Sequence, residues 1–266
     1  MDEPKELGAI QAQGRTADIY NWKNNCILKL FHNWFDLDSI RYEQRMSRAV
    51  HASGLPVPDV KDLIQVKGRY GLIYERVDGF TMLDILFQQP WRVEQLGQLL
   101  ANFQVEIHRS KLQPDFPSQR DRLRKKLHNA AKLPGNLRQS LLAELERLPD
   151  GRQICHGDFH PGNVIMQPER AVIIDWIDAS RGNPLADVAR STIIALGAAD
   201  SSQIADPKMK AIVIDFHQAY LHHYFTLQPE GRAEYQRWLP IVAGARLSEN
   251  ISEIESWLLS QAGDSL

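Results

Sequence analysis

One short polar block, followed by an apolar strand pattern, constrains the fold of this chain more than any other feature. Residues 156–163 read His-Gly-Asp-Phe-His-Pro-Gly-Asn, and residues 171–174 form the apolar run Ala-Val-Ile-Ile that ends at Asp175. Asn163 lies five positions after Asp158, and Asp175 lies twelve positions after Asn163. A loop and a strand end with this spacing can set one base and two metal-binding oxygens around the terminal phosphates of a nucleotide. The pattern therefore predicts a phosphotransferase active site.

The same block closely resembles the signature of the aminoglycoside phosphotransferase and choline kinase family, whose members have the kinase fold and phosphorylate small molecules. The match continues through residues 176–187, where the family pattern also carries an acid at the position of Asp187. The resemblance implies an α+β, protein-kinase-like bilobal fold, with a small β-rich N-terminal lobe containing one helix and a larger, mostly helical C-terminal lobe. It also implies transfer of the γ-phosphoryl group from ATP or GTP, with Mg²⁺, to a hydroxyl of an aminoglycoside, choline-like or sugar-like acceptor.

The composition narrows the expected partners and location. The chain has 31 Lys plus Arg against 33 Asp plus Glu, so it has no general electric field that would recruit nucleic acid or an anionic membrane. No run approaches the roughly 20 apolar residues of a membrane helix, and the first residues lack the apolar core of a signal peptide. We therefore expect a cytoplasmic protein whose partner is a small-molecule acceptor, with no nucleic-acid or membrane partner. Cys26 and Cys155 lie in apolar runs and are expected to be small buried side chains.

Residues 1–77 are predicted to form the N-terminal, nucleotide-binding lobe, built from strands around one helix. Alternating side chains and central polar turns indicate two hairpins, within residues 19–31 and 62–74. Between them, Asp38 is a candidate cap for a helix that runs to about His51.

Residues 78–266 are predicted to form the C-terminal lobe, which is catalytic and binds the acceptor. Apolar residues at helical spacing predict helices within residues 93–107 and 137–148. Two further long helices are expected over residues 204–227 and 233–260.

The polar block supplies a candidate for each catalytic task. We assign Asp158 as the catalytic base, because a loop carboxylate can accept a hydrogen bond from an acceptor hydroxyl and align it with the γ-phosphate. Asn163 and Asp175 offer the hard oxygen ligands that Mg²⁺ takes. By the resemblance, His156 is a scaffold that holds the catalytic loop, and Asp187 braces the same loop from the following helix.

Other interpretations of these residues compete with this assignment. An Asp in a Gly-Asp turn often caps its own turn, and Asp175 could be a strand-end carboxylate paired with Arg181. His156, Asp158 and His160 could instead be the ligands of a metal-dependent hydrolase. The remaining histidines, however, form no further set at recognisable metal-ligand spacing.

Lys29 is the single charge within the apolar run 26–31, and strand alternation places it on the same face as Phe31. The helix that follows has an apolar stripe containing one acid: Ile40, Glu43, Met46 and Val50. A carboxylate on that face requires a cation, so we predict that Glu43 pairs with Lys29 and that the pair positions the nucleotide phosphates. The plainer alternative is an edge-strand lysine, with Glu43 paired to an arginine of its own helix.

Two further segments are candidates for nucleotide contacts. The loop Gly14, Arg15 and Thr16 has one glycine where protein kinases carry three, and it resembles the short phosphate-covering loop of the aminoglycoside phosphotransferase family. We also expect adenine to bind the backbone between Glu75 and Val77.

The competing functions are a protein kinase and a kinase-fold protein that binds nucleotide without catalysis. The short distance from Asp175 to Ala186 leaves no room for an activation loop, and every catalytic residue type is present. The acceptor stays open. Three acids either line an acidic cleft for a cationic acceptor or form a solvated helix face: Glu249, Glu253 and Glu255. Four aromatic residues either cage a quaternary ammonium or belong to the core: Tyr220, Tyr224, Trp238 and Trp257.

Overall fold

The computed structural model describes residues 7–14, 16–110 and 116–263 of the chain. These residues form two compact units. The first contains the described residues up to Gly79 together with Ile165–Ile177, and the second contains Phe80–Val164 and the described residues from Asp178 onward. The lobe boundary after residue 77 stays a prediction.

Strands dominate the first part of the chain and helices the rest. In chain order the strands are β1 (Ile10–Gln13), β2 (Ala17–Trp22), β3 (Cys26–Phe31), β4 (Val60–Val66), β5 (Arg69–Glu75), β6 (Phe80–Thr81), β7 (Gln153–Cys155), β8 (Val164–Met166), β9 (Ala171–Ile173) and β10 (Ser180–Gly182). The helices are α1 (Leu37–Ala52), α2 (Met82–Gln88), α3 (Val93–Arg109), α4 (Gln119–Asn129), α5 (Gly135–Arg147), α6 (Pro184–Asp200), α7 (Pro207–Leu227), α8 (Arg232–Arg246) and α9 (Glu255–Gly263).

The first unit is built on a five-stranded sheet in the order β1-β2-β3-β5-β4, in which every neighbouring pair is antiparallel. Both predicted hairpins are present. The β2–β3 turn places Asn24 and Asn25 at positive φ, and the β4–β5 turn does the same with Lys67 and Gly68. Asparagine and glycine tolerate this left-handed backbone better than most residues do, which explains why these segments turn.

Helix α1 follows β3 and covers one face of this sheet. It begins earlier than predicted: the cap is Asp36, whose carboxylate accepts the Ser39 backbone N–H at 2.8 Å, and the assignment of Asp38 was wrong. Asp36 is still extended, with ψ of 150°, so its side chain can reach back over the first turn, whereas Asp38 already lies inside the helix. The predicted stripe with Glu43 is the buried face of α1.

The two faces of the sheet pack against different residues. Phe31, Ile40 and Leu72 lie in one apolar cluster, which also packs against Ile27. Leu28 lies on the other face together with Cys26 and Leu30, the alternate residues of β3, and these three belong to the second cluster. Lys29 therefore shares the face of Ile27 and Phe31, as strand alternation predicted.

The second unit is mainly helical, and two short strands position its polar loop. β7 pairs with β10 so that Cys155 lies opposite Ser180, and the loop that starts at His156 leaves the end of β7. Residues 233–260 do not form one helix, contrary to the prediction. α8 ends at Arg246, and Asn250 adopts φ of 53°, a left-handed conformation that cannot continue a right-handed helix.

Two further expectations concern the helices and the cysteines of this chain. Within the described ranges, no helix combines the length and the apolar character needed to cross a bilayer. Cys26 and Cys155 are both free and buried, which confirms their prediction as small buried side chains.

Helices α3 and α7 approach closely at Gly97, which generates a test of the packing. A Cβ at this position would lie 2.8 Å from the Tyr220 backbone nitrogen and 2.9 Å from the Phe216 carbonyl oxygen, and backbone atoms cannot move aside cheaply. Gly97→Ala should lower the free energy of unfolding by about 1–3 kcal/mol.

Gly135 of α5 provides the matched control, because a Cβ there meets no atom within 4 Å. Gly135→Ala should leave stability unchanged or raise it by up to about 1 kcal/mol. Denaturant unfolding of both variants measures the difference. Equal effects at the two positions would contradict the close helix approach.

Candidate active site

Three distant segments of the first unit meet at the Lys29 ammonium. Its Nζ lies 2.8 Å from Glu43 Oε1 and 3.1 Å from Asp175 Oδ1. Lys29 comes from the middle of β3, Glu43 from the buried face of α1, and Asp175 from the turn after β9. The predicted Lys29–Glu43 ion pair is thus present, and the partner of Asp175 within this unit is Lys29.

Tyr74 is a member of this cluster that sequence reasoning missed. Its hydroxyl donates to Glu43 Oε1 at 2.9 Å and lies 3.2 Å from Ser47 Oγ. Burial, followed by the charge of Glu43, raises the pKa of Tyr74 well above its ordinary value, so the phenol stays protonated and keeps donating. The available signal was strand alternation, since Tyr74 lies opposite Ile27 on the face that Lys29 shares.

The charges in this cluster do not cancel. Burial opposes the charge of Lys29, but Glu43 and Asp175 outweigh it and raise the pKa of the ammonium above its ordinary value. One permanent cation therefore faces two carboxylates. The Glu43 side chain is 2% exposed, whereas that of Asp175 is 40% exposed. The excess negative charge is therefore presented to solvent at Asp175.

The backbone at Asp175 is unusual and explains how its carboxylate leaves the strand. Asp175 adopts φ of 65°, a left-handed conformation that aspartate tolerates better than most residues. On one side, the Ile173 N–H donates to the Pro56 carbonyl at 2.8 Å. On the other side, Trp176 Nε1 donates back to the Ile173 carbonyl at 3.0 Å. These bonds hold the turn that carries Asp175.

Backbone hydrogen bonds hold the two ends of the predicted phosphate-covering loop. The Gly14 N–H donates to the Ala17 carbonyl at 2.8 Å, and the His32 N–H donates to the Thr16 carbonyl at 2.9 Å. Arg15 lies outside the described residues. The phosphate contacts of Gly14, Arg15 and Thr16 stay predictions.

The predicted adenine-binding backbone is partly engaged already. The Glu75 N–H donates to the Asp59 carbonyl at 2.9 Å, and the Arg76 N–H donates to the Asn25 carbonyl at 3.2 Å. A nucleobase at this segment would therefore have to use Val77 as its backbone donor.

In the second unit, Asp158 is surrounded by groups that stabilise its negative charge. Its carboxylate lies 3.4 Å from Arg190 Nη2 and 3.6 Å from His160 Nε2. Burial favours the neutral acid, but the neighbouring His160 and the charge of Arg190 prevail and hold the pKa of Asp158 well below its usual range. The carboxylate is therefore ionised at neutral pH and can accept a hydrogen bond from a hydroxyl.

Asn163 is tied to the same loop by its amide nitrogen. Nδ2 donates to the Asp158 carbonyl oxygen at 2.8 Å and lies 3.4 Å from Asp158 Oδ2. This orientation commits the nitrogen and leaves the amide oxygen as the atom that could bind a cation. Asn163 and Asp175 belong to different compact units, so their joint role as metal ligands stays a prediction.

His156 is fully buried at the start of this loop. Its Nδ1 accepts the Asp158 backbone N–H at 3.2 Å, so that nitrogen has a partner and cannot also bind a metal. Among the described residues, the His, Cys and acidic side chains close enough to enclose one ion are His108, Cys155 and Asp187. The geometry therefore does not support a hydrolase site formed by His156, Asp158 and His160.

Asp187, on α6, connects the loop to the helical core. Its carboxylate accepts the Gly157 N–H at 2.7 Å and the His156 N–H at 3.1 Å. Gln104 Nε2 and His108 Nε2, both on α3, each lie 3.1 Å from Oδ2. Burial opposes the charge, but these hydrogen bonds and the nearby histidines lower the pKa of Asp187, so it remains an ionised acceptor.

Sequence reasoning missed the residues that surround the predicted ones in this unit. Arg190 lies three positions after Asp187, which places both on one side of α6, and that helical offset was an available signal. Gln104 and His108 are likewise four positions apart on α3. Their shared partner, Asp187, is 79 or more positions away along the chain, so no local sequence pattern could indicate the contact.

The arrangement agrees with a match to known proteins. The family model described as "Phosphotransferase enzyme family" matches residues 20–238 of the chain. The chain belongs to the phosphotransferase enzyme family. The family and the enzyme class predicted from the sequence, a small-molecule kinase, are thereby confirmed.

Solved structures show the same fold as this phosphotransferase at low sequence identity. A choline/ethanolamine kinase family protein from Mesorhizobium loti is 13% identical, with a TM-score of 0.64 and coverage of 97% of this chain and 87% of that one. An amicoumacin kinase in complex with AMP-PNP, Ca²⁺ and Ami is 17% identical, with a TM-score of 0.62 and the same two coverages. The predicted protein-kinase-like fold is therefore confirmed.

A curated relative matches over part of the chain. Acyl-CoA dehydrogenase family member 10 of Mus musculus is 27% identical over 177 residues, covering 58% of this chain and 17% of that protein. The alignment thus spans about a sixth of the length of that relative.

The Lys29–Glu43 contact predicts strong coupling between the two side chains. Lys29→Met and Glu43→Gln should each weaken ATP binding, and the double variant should be little worse than the poorer single variant, because both changes break one interaction. Calorimetry with ATP and Mg²⁺ on the four proteins should give a coupling energy of about 1–3 kcal/mol.

Lys61→Met is the matched control, because Lys61 lies on β4 with a side chain that is 51% exposed and paired with Asp59. This variant should bind ATP as the unchanged protein does. Strict additivity of the Lys29 and Glu43 effects would remove the pair from the nucleotide site.

Proposed function

We propose that this phosphotransferase uses ATP and Mg²⁺ and transfers the γ-phosphoryl group to a hydroxyl of a small molecule. One observation carries the proposal: a partly buried ammonium, Lys29, is held between the buried carboxylate of Glu43 and the half-exposed carboxylate of Asp175. Holding a lysine in a strand with two acids is costly for a purely structural purpose, and it suits the binding of triphosphate and metal.

In this proposal, the first unit binds the nucleotide. Lys29 contacts the α- and β-phosphates, and Glu43 and Tyr74 keep its ammonium in place. The backbone of Gly14 and Thr16 covers the phosphates, and Val77 receives the base. GTP would meet the same phosphate contacts, so a choice between ATP and GTP rests on the residues around the base.

The donor atoms suit Mg²⁺. Asp175 offers a carboxylate and Asn163 an amide oxygen, and both are hard ligands that let Mg²⁺ keep waters and phosphate oxygens in its shell. Lys29 occupies Asp175 Oδ1, which leaves Oδ2 for a cation. The metal would neutralise charge on the transferred phosphoryl group.

Asp158 would orient the acceptor. Phosphoryl transfer passes through a loose transition state, so positioning the hydroxyl matters more than removing its proton early. A carboxylate with a lowered pKa is a weak base but a good hydrogen-bond acceptor, and it takes the proton as the new bond forms. Asp187 and His156 act indirectly by holding the loop that carries it.

Replacing Asp158 tests its role in turnover. Asp158→Asn preserves the side-chain shape but loses the negative charge, and should lower the turnover number by about 10²-fold or more while ATP affinity changes little. Steady-state ADP release with the acceptor and calorimetry with ATP measure the two quantities. Asp215→Asn, on the exposed face of α7, is the control and should match the unchanged protein. Near-normal turnover of Asp158→Asn would remove Asp158 from the mechanism.

Asp175 can be tested through the metal dependence of nucleotide binding. In the unchanged protein Mg²⁺ should strengthen ATP binding, and Asp175→Ala should abolish this effect, because the principal carboxylate ligand is lost. Calorimetric titration of ATP with and without Mg²⁺ separates metal dependence from ATP affinity itself. A wild-type response to Mg²⁺ in Asp175→Ala would show that the ligand assignment is wrong.

A further inference from the structure

One guanidinium in the second unit connects the loop that carries Asp158 to a distant acid. Arg190 of α6 donates from Nε to the Gly157 carbonyl at 3.1 Å. Its Nη2 lies 3.4 Å from Asp158 Oδ1 and 2.9 Å from Glu249 Oε1. The Arg190 side chain is 12% exposed, so these groups form most of its surroundings. One nitrogen therefore lies between two carboxylates while another is bonded to the backbone of the loop.

Local structure explains how these partners meet. Arg190 follows Asp187 by three positions on α6, so both side chains lie on the side of that helix that contacts the loop. Glu249 is the last residue of a single helical turn, Leu247–Glu249, that follows α8. Asn250 then adopts a left-handed conformation, which ends the turn directly after Glu249.

Glu249 is an ionised partner for this arginine. Its oxygens also lie 3.2 Å from Lys126 and 3.8 Å from Arg246. Burial opposes its ionisation, yet the charges of Arg190 and of these two cations lower the pKa of Glu249 below its ordinary value. Its negative charge is therefore engaged by basic side chains of the protein itself.

The other two acids considered for an acidic cleft have different surroundings. Glu253 is exposed and accepts a hydrogen bond from Ser252, and Glu255 lies 3.8 Å from Lys132. Among the described residues, the acidic cleft considered from the sequence therefore does not form from Glu249, Glu253 and Glu255.

The aromatic residues considered for a cation cage lie in the helical core. Tyr220, Tyr224 and Trp238 are each 2% exposed or less, so they cannot surround a solvent-borne cation. The Tyr224 hydroxyl lies 3.1 Å from His108 Nδ1, and His108 in turn contacts Asp187. These rings therefore belong to the part of the core that holds the loop through Asp187.

The distances indicate what Glu249 contributes to the contact between Arg190 and Asp158. The contact with Glu249 is short, whereas 3.4 Å to Asp158 is longer than the usual charge-assisted hydrogen bond of about 2.7–2.9 Å. An arginine with no second carboxylate would close on Asp158. Because Glu249 competes for the same nitrogen, Arg190 steadies Asp158 and still leaves it able to accept a hydrogen bond from an acceptor hydroxyl.

We propose that Glu249 is a positioning residue for phosphoryl transfer, which acts through Arg190 to hold Gly157 and Asp158 in place and to keep Asp158 available to the acceptor. This inference rests on the proposed function. The role concerns the orientation of the attacking oxygen and not the binding of nucleotide. Its loss should therefore lower turnover and leave the affinity for ATP unchanged.

The kinetic test uses ATP hydrolysis, in which water takes the place of the acceptor. The water oxygen bonds to the γ-phosphorus, the bond from that phosphorus to the β–γ bridging oxygen breaks, and the products are ADP, phosphate and a proton. With ATP and Mg²⁺, Glu249→Gln should lower the kcat of ADP release by about 10-fold or more, with the KM for ATP little changed.

Glu144→Gln is the matched control. The Glu144 side chain is 20% exposed, close to the 18% of Glu249, and it is likewise shared by basic side chains, Arg147 of α5 and Arg237 of α8. Loss of these ion pairs should lower the Tm about as much as Glu249→Gln does, while kcat stays that of the unchanged protein. Equal kcat values in the two variants overturn the inference.

A double-variant cycle shows whether Glu249 acts through Arg190. Arg190→Gln should also lower kcat, and adding Glu249→Gln to it should cause no further fall, because no arginine is left for the acid to hold. If Glu249 acted through Lys126 or Arg246, its replacement would still lower kcat in the Arg190→Gln background, and the inference would be wrong.

Amide hydrogen exchange tests the positioning without any turnover. The N–H groups of His156, Gly157 and Asp158 are hydrogen-bonded in this structure and should exchange slowly. Mass spectrometry should show about 10-fold faster exchange of this segment in Glu249→Gln, but not in Glu144→Gln.

Equal exchange in the two glutamate variants overturns the inference. If ATP does not bind the unchanged protein, the proposed function fails instead, and the exchange comparison still decides whether Glu249 holds the loop.

Discussion

The buried carboxylate of Asp187 is the interaction on which the catalytic loop depends. An unpartnered charge in this position would be destabilising by about 3–5 kcal/mol, so the surrounding donors have to be in place for the unit to fold as it does. Two of these donors are the backbone N–H groups of His156 and Gly157, and two are side chains of α3, Gln104 and His108. The same bonds that satisfy the charge therefore fix the loop to the helical core. Gly157 adds a steric requirement, because it adopts φ of 80° and a Cβ there would lie 2.4 Å from the Asp178 carbonyl oxygen.

The first unit uses buried charge in a different way. Glu43 is closed off from solvent and bonded by Lys29 and Tyr74, so its role is to hold the lysine. Asp175 contacts the same ammonium but keeps much of its surface in water. If both carboxylates were fully buried with the lysine, no ligand could reach the ammonium. If both were fully exposed, the ion pairs would be too weak to hold the lysine in one orientation. The combination of one buried and one exposed carboxylate leaves the lysine oriented and the site still able to bind phosphate and metal.

Sequence patterns predicted those parts of the protein whose structure depends on residues close together in the chain. The hairpins follow from alternation and turn residues, and the acid at Glu43 was conspicuous because it interrupts an apolar stripe. A long-range partner such as His108 could not be found in this way, because its imidazole looks like an ordinary core side chain until the fold brings the acid Asp187 to it. The predicted helix over residues 233–260 was wrong for a related reason. The end of α8 depends on the left-handed backbone of Asn250, and the apolar spacing continues past it.

Glu249 shows why the sign of a binding site is not a local property of the sequence. Along the chain it lies near other acids and suggests a negatively charged surface. In the folded unit its nearest charged neighbours are Arg190 of α6 and Lys126 of α4, which are separated from it by 59 and 123 positions. Because three cations share it, the acid orients the basic side chains instead of attracting a cation. The charge that a ligand would meet beside Asp158 is the remainder after such internal pairing, and no single acid along the chain reveals it.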